Sequence, residues 1–115
     1  MFLMNNYIIL TTESFDKEFK ELPQEIQTRF KKQFIRLQTD PLATGKPLRG
    51  SKYFRELKNT KYRVYYLVYE TEVLVLLAGL SNKKTQQEEI EYINSNLNIL
   101  QKHIQESKAL NRKIS

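Results

Sequence analysis

The sequence predicts an α+β domain in which a helical hairpin and a C-terminal helix pack against an antiparallel sheet. Three observations predict this fold: paired helical stripes near the N-terminus, three strand-like runs in the centre, and a final helix with a capping motif. At 115 residues the chain is long enough for one hydrophobic core and too short for two. We expect one domain over residues 1–115, with a tail that frays from residue 106, where the apolar pattern fades.

The composition excludes several kinds of site. The chain has no cysteine and one histidine, so disulfides, thiolate nucleophiles and cysteine- or histidine-rich metal centres are not expected. We therefore expect neither a metal nor a cofactor. No apolar run approaches the roughly 20 residues of a membrane helix, and residues 1–10 lack the basic start and small-residue cleavage site of a signal peptide. The sequence thus predicts a cytoplasmic protein without a membrane partner.

An N-terminal strand and two helices are predicted first. The β-branched run at residues 7–11 is typical of a strand, and Thr12 can cap the helix after it. Pro23 ends that helix and fits the first turn of the next, which ends at Asp40 before a proline. Apolar residues at helical spacing give each helix one inner side: Phe15, Phe19 and Leu22, then Ile26, Phe30, Phe34 and Leu37.

Three strands are predicted after a loop at residues 42–51, which contains two glycines and a proline. The strands span about residues 53–58, 62–69 and 73–80, with the first turn at residues 59–60 or 60–61. Such short turns join antiparallel neighbours only. The last strand is apolar on both faces, so each side of it needs a covering layer.

A single C-terminal helix is predicted to close the domain. Thr85 and Glu88 have the spacing of a capping box at its start. An apolar seam follows at spacings of three and four: Ile90, Ile93, Leu97, Leu100 and Ile104. This seam could pack on the sheet, on the N-terminal helices or on a partner chain.

Basic residues are concentrated around the central hairpin. Residues 46–63 contain one acid, Glu56, and seven bases: Lys46, Arg49, Lys52, Arg55, Lys58, Lys61 and Arg63. This excess of six equals the formal net charge of the whole chain, +6. A phosphate backbone is the partner that such a field favours, so Lys46, Arg49, Lys52, Lys58 and Lys61 are predicted RNA-binding residues.

Arg63 is the most specific candidate for a functional residue, because it is the one cation in a strand of tyrosine, valine and leucine. If the turn lies at residues 59–60, Glu56 is directly opposite and the two could form an ion pair that fixes the register. Alternatively, the guanidinium clamps a phosphate. Lys83 and Lys84 precede the last helix and are expected at the same end of the sheet.

Tyrosines on the same strand suggest a second kind of contact with nucleic acid. Tyr62, Tyr65 or Tyr66 could stack on a base of single-stranded RNA. Tyrosine is equally common as a plain strand former. Both interpretations stay open at this point.

The chain resembles the RelE/ParE superfamily of toxins from bacterial toxin–antitoxin pairs over about residues 8–96. The segment SFDKEFKELPQEIQTRFKKQFIRLQTDP is similar to the family's helical hairpin, and GKPLRG, FREL and KYRVYY follow in the family's order. The segment LLAGLSNKKTQQEEIEYI is most similar to the HigB-like, phage-derived branch. The resemblance implies a helical hairpin on a curved antiparallel sheet.

The resemblance also implies a function. RelE and HigB relatives cleave messenger RNA in the decoding site of the ribosome, so the chain is expected to be a metal-independent endoribonuclease that inhibits translation. Its expected partners are a cognate antitoxin, the ribosome and messenger RNA. Two alternatives remain: a DNA gyrase inhibitor of the ParE type, and a non-catalytic homologue that only binds a partner.

The resemblance implies four catalytic residues: Arg63, Lys83, Lys84 and Arg55. The strand arginine of the family falls on Arg63, and the HigB-like lysines fall on Lys83 and Lys84. Arg55 matches a further arginine or tryptophan position. Where RelE proteins carry bases on the preceding strand, this chain has Glu56, and the resemblance does not supply the group that handles protons.

Overall fold

A computed structural model describes residues 6–114, with side chains through residue 106. In chain order the described elements are β1 (Ile8–Thr11), α1 (Glu13–Lys20), α2 (Gln24–Leu37), β2 (Lys46–Leu48), β3 (Ser51–Asn59), β4 (Tyr62–Tyr69), β5 (Leu74–Asn82), α3 (Gln86–Ser95) and α4 (Leu97–Ile114). The strands form one sheet in the order β1-β5-β4-β3-β2. The predicted α+β fold is confirmed. None of the described helices is both long and apolar enough to cross a membrane.

The sheet has a helical layer on each face. On one face Phe15, Phe19 and Phe30 of α1 and α2 pack against Val64 and Val75 of the sheet. On the other face the seam of α3 and α4 covers a second set of sheet residues that includes Phe54, Tyr65 and Leu76. Strand β5 is therefore buried on both faces, as its uninterrupted apolar sequence predicts. The seam packs on the sheet rather than on the N-terminal helices.

The two edges of the sheet differ from the prediction. Strand β1 lies beside β5 and runs parallel to it, pairing Ile8 with Leu74 and Thr11 with Leu77, so the sheet is mixed rather than wholly antiparallel. The chain between β1 and β5, which contains both helices and the other three strands, supplies the long connection that a parallel pair requires. At the other edge, the predicted loop at residues 42–51 contains β2, which pairs antiparallel with β3.

The β3–β4 turn consists of Thr60 and Lys61, the second of the two predicted positions. Asn59 pairs with Tyr62, so Lys58 lies directly opposite Arg63, and Glu56 lies opposite Tyr65. The predicted cross-strand pair of Glu56 and Arg63 is therefore wrong. Its register required the other turn, and a shift of one residue in the turn moves the opposite residue by two.

The predicted single C-terminal helix is also wrong, because it is interrupted at Asn96, between α3 and α4. The Asn96 side chain donates to the Tyr92 carbonyl, 2.7 Å away. The predicted capping box does not form either: Thr85 precedes α3 without a side-chain cap, and its hydroxyl instead bonds the Asn82 side chain and backbone N–H. The backbone is helical through Ile114, beyond residue 106, and Ser115 lies outside the described residues.

Candidate nucleic-acid interface

A groove of about 380 Å³ opens between the β2–β4 side of the sheet and the start of α3. We call it the basic groove, and the residues that line it are Gly45, Lys46, Glu56, Lys58, Arg63 and Gln86. Three of the six are cations, and one is a carboxylate. The groove is thus a polar site on the sheet face that α3 only partly covers.

Strand register explains why these side chains meet. Lys46 of β2 lies opposite Glu56 of β3, and Lys58 lies opposite Arg63 of β4. Directly opposed residues point to the same face, and so do residues two apart on one strand. All four side chains therefore point to the α3 side of the sheet. Gln86, the first residue of α3, reaches the groove from above.

Arg63 is held deep in the groove. Only 7% of the residue is exposed, and its Nη1 donates to the Lys61 carbonyl at 3.1 Å. Its Nε is buried and has no hydrogen-bond partner among the described residues. A buried donor left without a partner is costly, by about 1–3 kcal/mol. An anion that enters the groove would satisfy it, since guanidinium groups bind phosphate oxygens well.

Glu56 is equally buried, with 7% of the residue exposed. Gln86 Nε2 donates to its Oε1 at 3.3 Å, the one hydrogen bond that the side chain makes among the described residues. The three ion pairs of the described side chains join other residues, so neither Glu56 nor Arg63 is neutralised by a salt bridge. The groove therefore holds a buried carboxylate beside a buried guanidinium, each with hydrogen-bonding capacity to spare.

Tyr65 forms the floor beside the groove. Its hydroxyl and the Ser81 hydroxyl lie 2.8 Å apart. Burial is the main reason why the pKa of Tyr65 is raised to about 12, with smaller contributions from the Glu56 and Glu89 carboxylates, so the phenol stays neutral at physiological pH. Sequence analysis did not identify Ser81 and Glu89 as neighbours of Tyr65, because β5 and α3 approach it only through the tertiary fold.

The proposed base-stacking role of Tyr65 and Tyr66 is wrong. Both residues are fully buried, so neither ring has a free face for a nucleobase. Tyr66 lies on the opposite side of the sheet, where its hydroxyl lies 2.8 Å from each of two acceptors, the carbonyls of Pro41 and Thr44. Tyr62 is only partly buried, and its base-stacking role stays a prediction.

Lys83 and Lys84 lie at the same end of the sheet as Arg63, as predicted. They follow β5, whose Ser81 and Asn82 pair with Arg63 and Tyr62 of β4. The Asn82 side chain accepts from the Lys84 backbone N–H at 2.8 Å, which fixes the turn before α3. Both lysines are exposed and lie outside the lining of the basic groove.

Arg55 does not converge with Arg63. It pairs with Tyr66 and therefore points to the α1–α2 side of the sheet. Its guanidinium donates to the Tyr66 hydroxyl at 3.2 Å and to the carbonyls of Lys52 and Gly45 at 3.0 and 3.1 Å. These bonds fasten the β2 loop to the sheet. The structure thus gives Arg55 a structural environment, away from the groove.

The predicted RNA-binding residues divide into two groups. Lys46 and Lys58 line the basic groove, and Lys61 adjoins it through the carbonyl that holds Arg63. Arg49, in the turn between β2 and β3, forms an ion pair with Glu91 of α3. The Lys52 ammonium, near the start of β3, lies 4.9 Å from the Tyr53 ring centroid. All five are exposed, but only the first group surrounds Arg63.

Comparison with solved structures identifies the fold. The RelE–RelB toxin–antitoxin complex of Escherichia coli is similar with a TM-score of 0.59 and 24% identity, over 66% of this chain and 95% of that chain. A mutant of E. coli RelE with a RelB antitoxin peptide has a TM-score of 0.62 and 22% identity, over 72% of this chain and 93% of that chain. The archaeal RelE–RelB complex from Pyrococcus horikoshii has a TM-score of 0.51 and 19% identity, over 68% of this chain and 96% of that chain. No protein-family model and no curated protein matches the sequence.

The chain therefore has the fold of the RelE toxins. The resemblance to the RelE/ParE superfamily is confirmed at the level of fold, and the HigB-like branch stays a prediction. The neighbours are matched almost end to end, whereas roughly a third of this chain has no counterpart in them. The fold alone does not assign an activity, so the function has to be argued from the groove.

Proposed function

We propose that this chain is the toxin of a type II toxin–antitoxin pair and that it cleaves messenger RNA on the ribosome. The observation that carries the proposal is Arg63, a buried guanidinium with an unpartnered Nε that faces a basic groove on a RelE-type sheet. Lys46 and Lys58 flank it and attract a phosphodiester. The ribosome as target would place its action in the cytoplasm.

The chemistry that suits this groove is attack of a ribose 2′-hydroxyl on the adjacent phosphate. That reaction builds up negative charge on the phosphate oxygens, which Arg63 and Lys58 would stabilise. Lys83 and Lys84, at the same end of the sheet, would hold the flanking backbone. Arg55 would act only indirectly, by fixing the β2 loop that carries Lys46.

An antitoxin is proposed as the second partner. Two of the similar structures are complexes of RelE with RelB, and a third contains a RelB peptide. A segment with acidic residues would complement the basic groove and would associate quickly through electrostatic steering. The same segment would exclude messenger RNA from Arg63 and so neutralise the toxin.

The test is induced expression of this chain and of the Arg63→Ala variant, with primer extension on abundant messages. The wild-type chain should arrest growth and produce new 5′ ends inside translated regions. Loss of one donor to the transition state should slow cleavage by roughly 10²–10³-fold in Arg63→Ala. Arg36→Ala, which changes an exposed arginine on α2, is the matched control and should behave as wild type.

Each other outcome points elsewhere. Arrest with intact messages and inhibited DNA supercoiling would replace the nuclease by a gyrase inhibitor. Arrest that Arg63→Ala does not relieve would remove Arg63 from the mechanism. Normal growth with folded, soluble protein would leave a homologue that binds a partner without toxicity.

A further inference from the structure

The carboxylate of Glu56 is unusual for a phosphate-binding groove. Its strand neighbours on the same face are cations or neutral. Lys46 of β2 and Tyr65 of β4 lie directly opposite it, and Lys58 lies two residues further along β3. A purely electrostatic phosphate site gains nothing from a negative charge beside Arg63, since the two would compete for the guanidinium. Yet Glu56 is buried and forms no salt bridge with these cations.

The hydrogen-bonding groups of the groove call for a ligand that carries both an anionic acceptor and a donor. Arg63 Nε offers a buried donor and calls for an anionic acceptor. Glu56 offers an acceptor, of which Gln86 uses one oxygen, and calls for a donor. A phosphodiester alone supplies acceptors only. A ribonucleotide supplies both, because its 2′-hydroxyl donates next to the phosphate that follows it.

We propose that Glu56 is the general base of this site and removes the proton from the ribose 2′-hydroxyl. This rests on the proposed function, RNA cleavage in the basic groove. As the proton passes to Glu56, the 2′ oxygen bonds to phosphorus and the bond from phosphorus to the 5′ oxygen breaks. The leaving 5′ oxygen takes a proton from solvent at the open side of the groove. The products are a 2′,3′-cyclic phosphate and a 5′-hydroxyl.

Other acid–base groups near the groove fit this role less well. The Tyr65 phenol is fully buried beneath the groove, and its raised pKa keeps it neutral. Glu89 of α3 packs against Gly79 of β5, where an added Cβ would meet its Oε2, and it does not line the groove. The Gln86 amide is neither an acid nor a base near neutral pH and instead orients the Glu56 carboxylate from the first residue of α3.

Single-turnover cleavage of messenger RNA on purified ribosomes tests the proposal. In Glu56→Gln, the rate constant at saturation should fall by about 10²–10⁴-fold, the usual size of a general-base effect. The half-saturating protein concentration should stay close to that of wild type, since the amide keeps the shape of the side chain. Glu56→Asp, which restores the carboxylate, should recover part of the rate. Glu70→Gln, an exposed carboxylate at the far end of the sheet, is the control.

A substrate with 2′-deoxyribose at the cleaved position provides the chemical check. It should bind wild-type protein and resist cleavage, while the all-ribose substrate gives the cyclic phosphate end. Thermal unfolding of each variant shows whether it is folded. Should Glu56→Gln fail to fold, Glu56→Asp compared with Gln86→Ala gives the same test, because the former keeps the base and the latter loses only its orientation.

The outcomes separate the two proposals. If wild type cleaves and a folded Glu56→Gln cleaves equally fast, the role of Glu56 is overturned and the proposed function stands. Cleavage of the deoxyribose substrate would overturn the 2′-hydroxyl mechanism in the same way. If wild-type protein does not cleave RNA on ribosomes at all, the proposed function fails, and the role of Glu56 fails with it.

Discussion

At the scale of single residues, strand parity decides which charges belong to the site. Arg55 and Arg63 lie in the same β-hairpin, yet they point to opposite faces of the sheet. Side chains alternate between the two faces along each strand, and Arg63 pairs with Lys58, three residues from Arg55. Arg63 faces the basic groove, and Arg55 holds the loop after α2. Glu56, the one acid among the bases at positions 46–63, lies on the face of Arg63. The local sequence does not distinguish Arg55 from Arg63, but the two side chains lie on opposite faces of the sheet.

Glu89 provides a prediction at the same scale. Burial, and to a lesser extent the Glu18 carboxylate, raises its pKa from 4.5 to about 6. The folded protein therefore binds this proton more tightly than the unfolded chain does. Deprotonation of Glu89 lowers the free energy of unfolding as the pH rises from about 4.5 to 6. Glu89→Gln removes the charge and should stabilise the protein above pH 6 by about 1 kcal/mol, after a discount for solvent screening of a partly exposed group.

Thermal denaturation of wild type and Glu89→Gln across this pH range measures the effect. The difference in free energy of unfolding should be near zero at pH 4.5 and should reach its full value above pH 6. Glu88→Gln, which changes the carboxylate at the neighbouring exposed position, is the control. A difference that is constant with pH would contradict the assigned burial of Glu89.

At the scale of elements, the helix break at Asn96 lets the C-terminal seam stay on the sheet. Helix α3 crosses the sheet with Ile90 and Ile93 buried, and α4 continues with Ile104 buried in the same cluster. Leu97, adjacent to the break, is partly exposed and lines a second groove. The seam is thus carried by two helices that each use part of the periodic pattern.

Ile104→Ala tests whether α4 is part of the folded core. Ile104 is 0% exposed, so its truncation should lower the free energy of unfolding by about 2–5 kcal/mol. Ile99 lies on the same helix and is 66% exposed, so Ile99→Ala is the matched control and should change stability by less than about 0.5 kcal/mol. Chemical denaturation of both variants gives the comparison. Equal, small effects would mean that α4 does not pack on the sheet in solution.

At the scale of the whole molecule, the fold collects a charge that the sequence spreads over 18 positions. The excess of basic residues at positions 46–63 is distributed over three strands, and the sheet brings Lys46, Lys58 and Arg63 around one groove. Converging cations raise the local potential and make association with a polyanion dependent on salt. Arg49 and Lys52 extend the field along β2 and β3.

The salt dependence of RNA binding measures this convergence. If Lys58 contacts a phosphate, Lys58→Ala should weaken binding to single-stranded RNA and reduce the slope of log affinity against log salt by about 0.7. Lys31→Ala removes an exposed lysine from α2, which packs on the opposite face of the sheet from the groove, and should leave the slope unchanged. Fluorescence anisotropy over a salt series provides both slopes. Identical slopes for Lys58→Ala and wild type would exclude the contact.

Much of this organisation could be predicted from the sequence, because it depends on local chemistry. Apolar spacing located the helical hairpin, Thr12 capped α1 with a hydrogen bond from the Phe15 backbone N–H, and short turns required an antiparallel meander. Arg63 stood out as a lone cation in an apolar strand, and Lys83 and Lys84 were correctly placed at its end of the sheet.

The tertiary structure alone decided the rest. Two turn positions were open at residues 59–61, and the observed one removed Glu56 from its predicted pairing and put Lys58 opposite Arg63. The parallel position of β1, the break at Asn96 and the approach of Gln86 to Glu56 all depend on contacts between residues far apart in sequence. Local propensity fixes neither register nor neighbours across elements, since these follow from how the buried faces pack together.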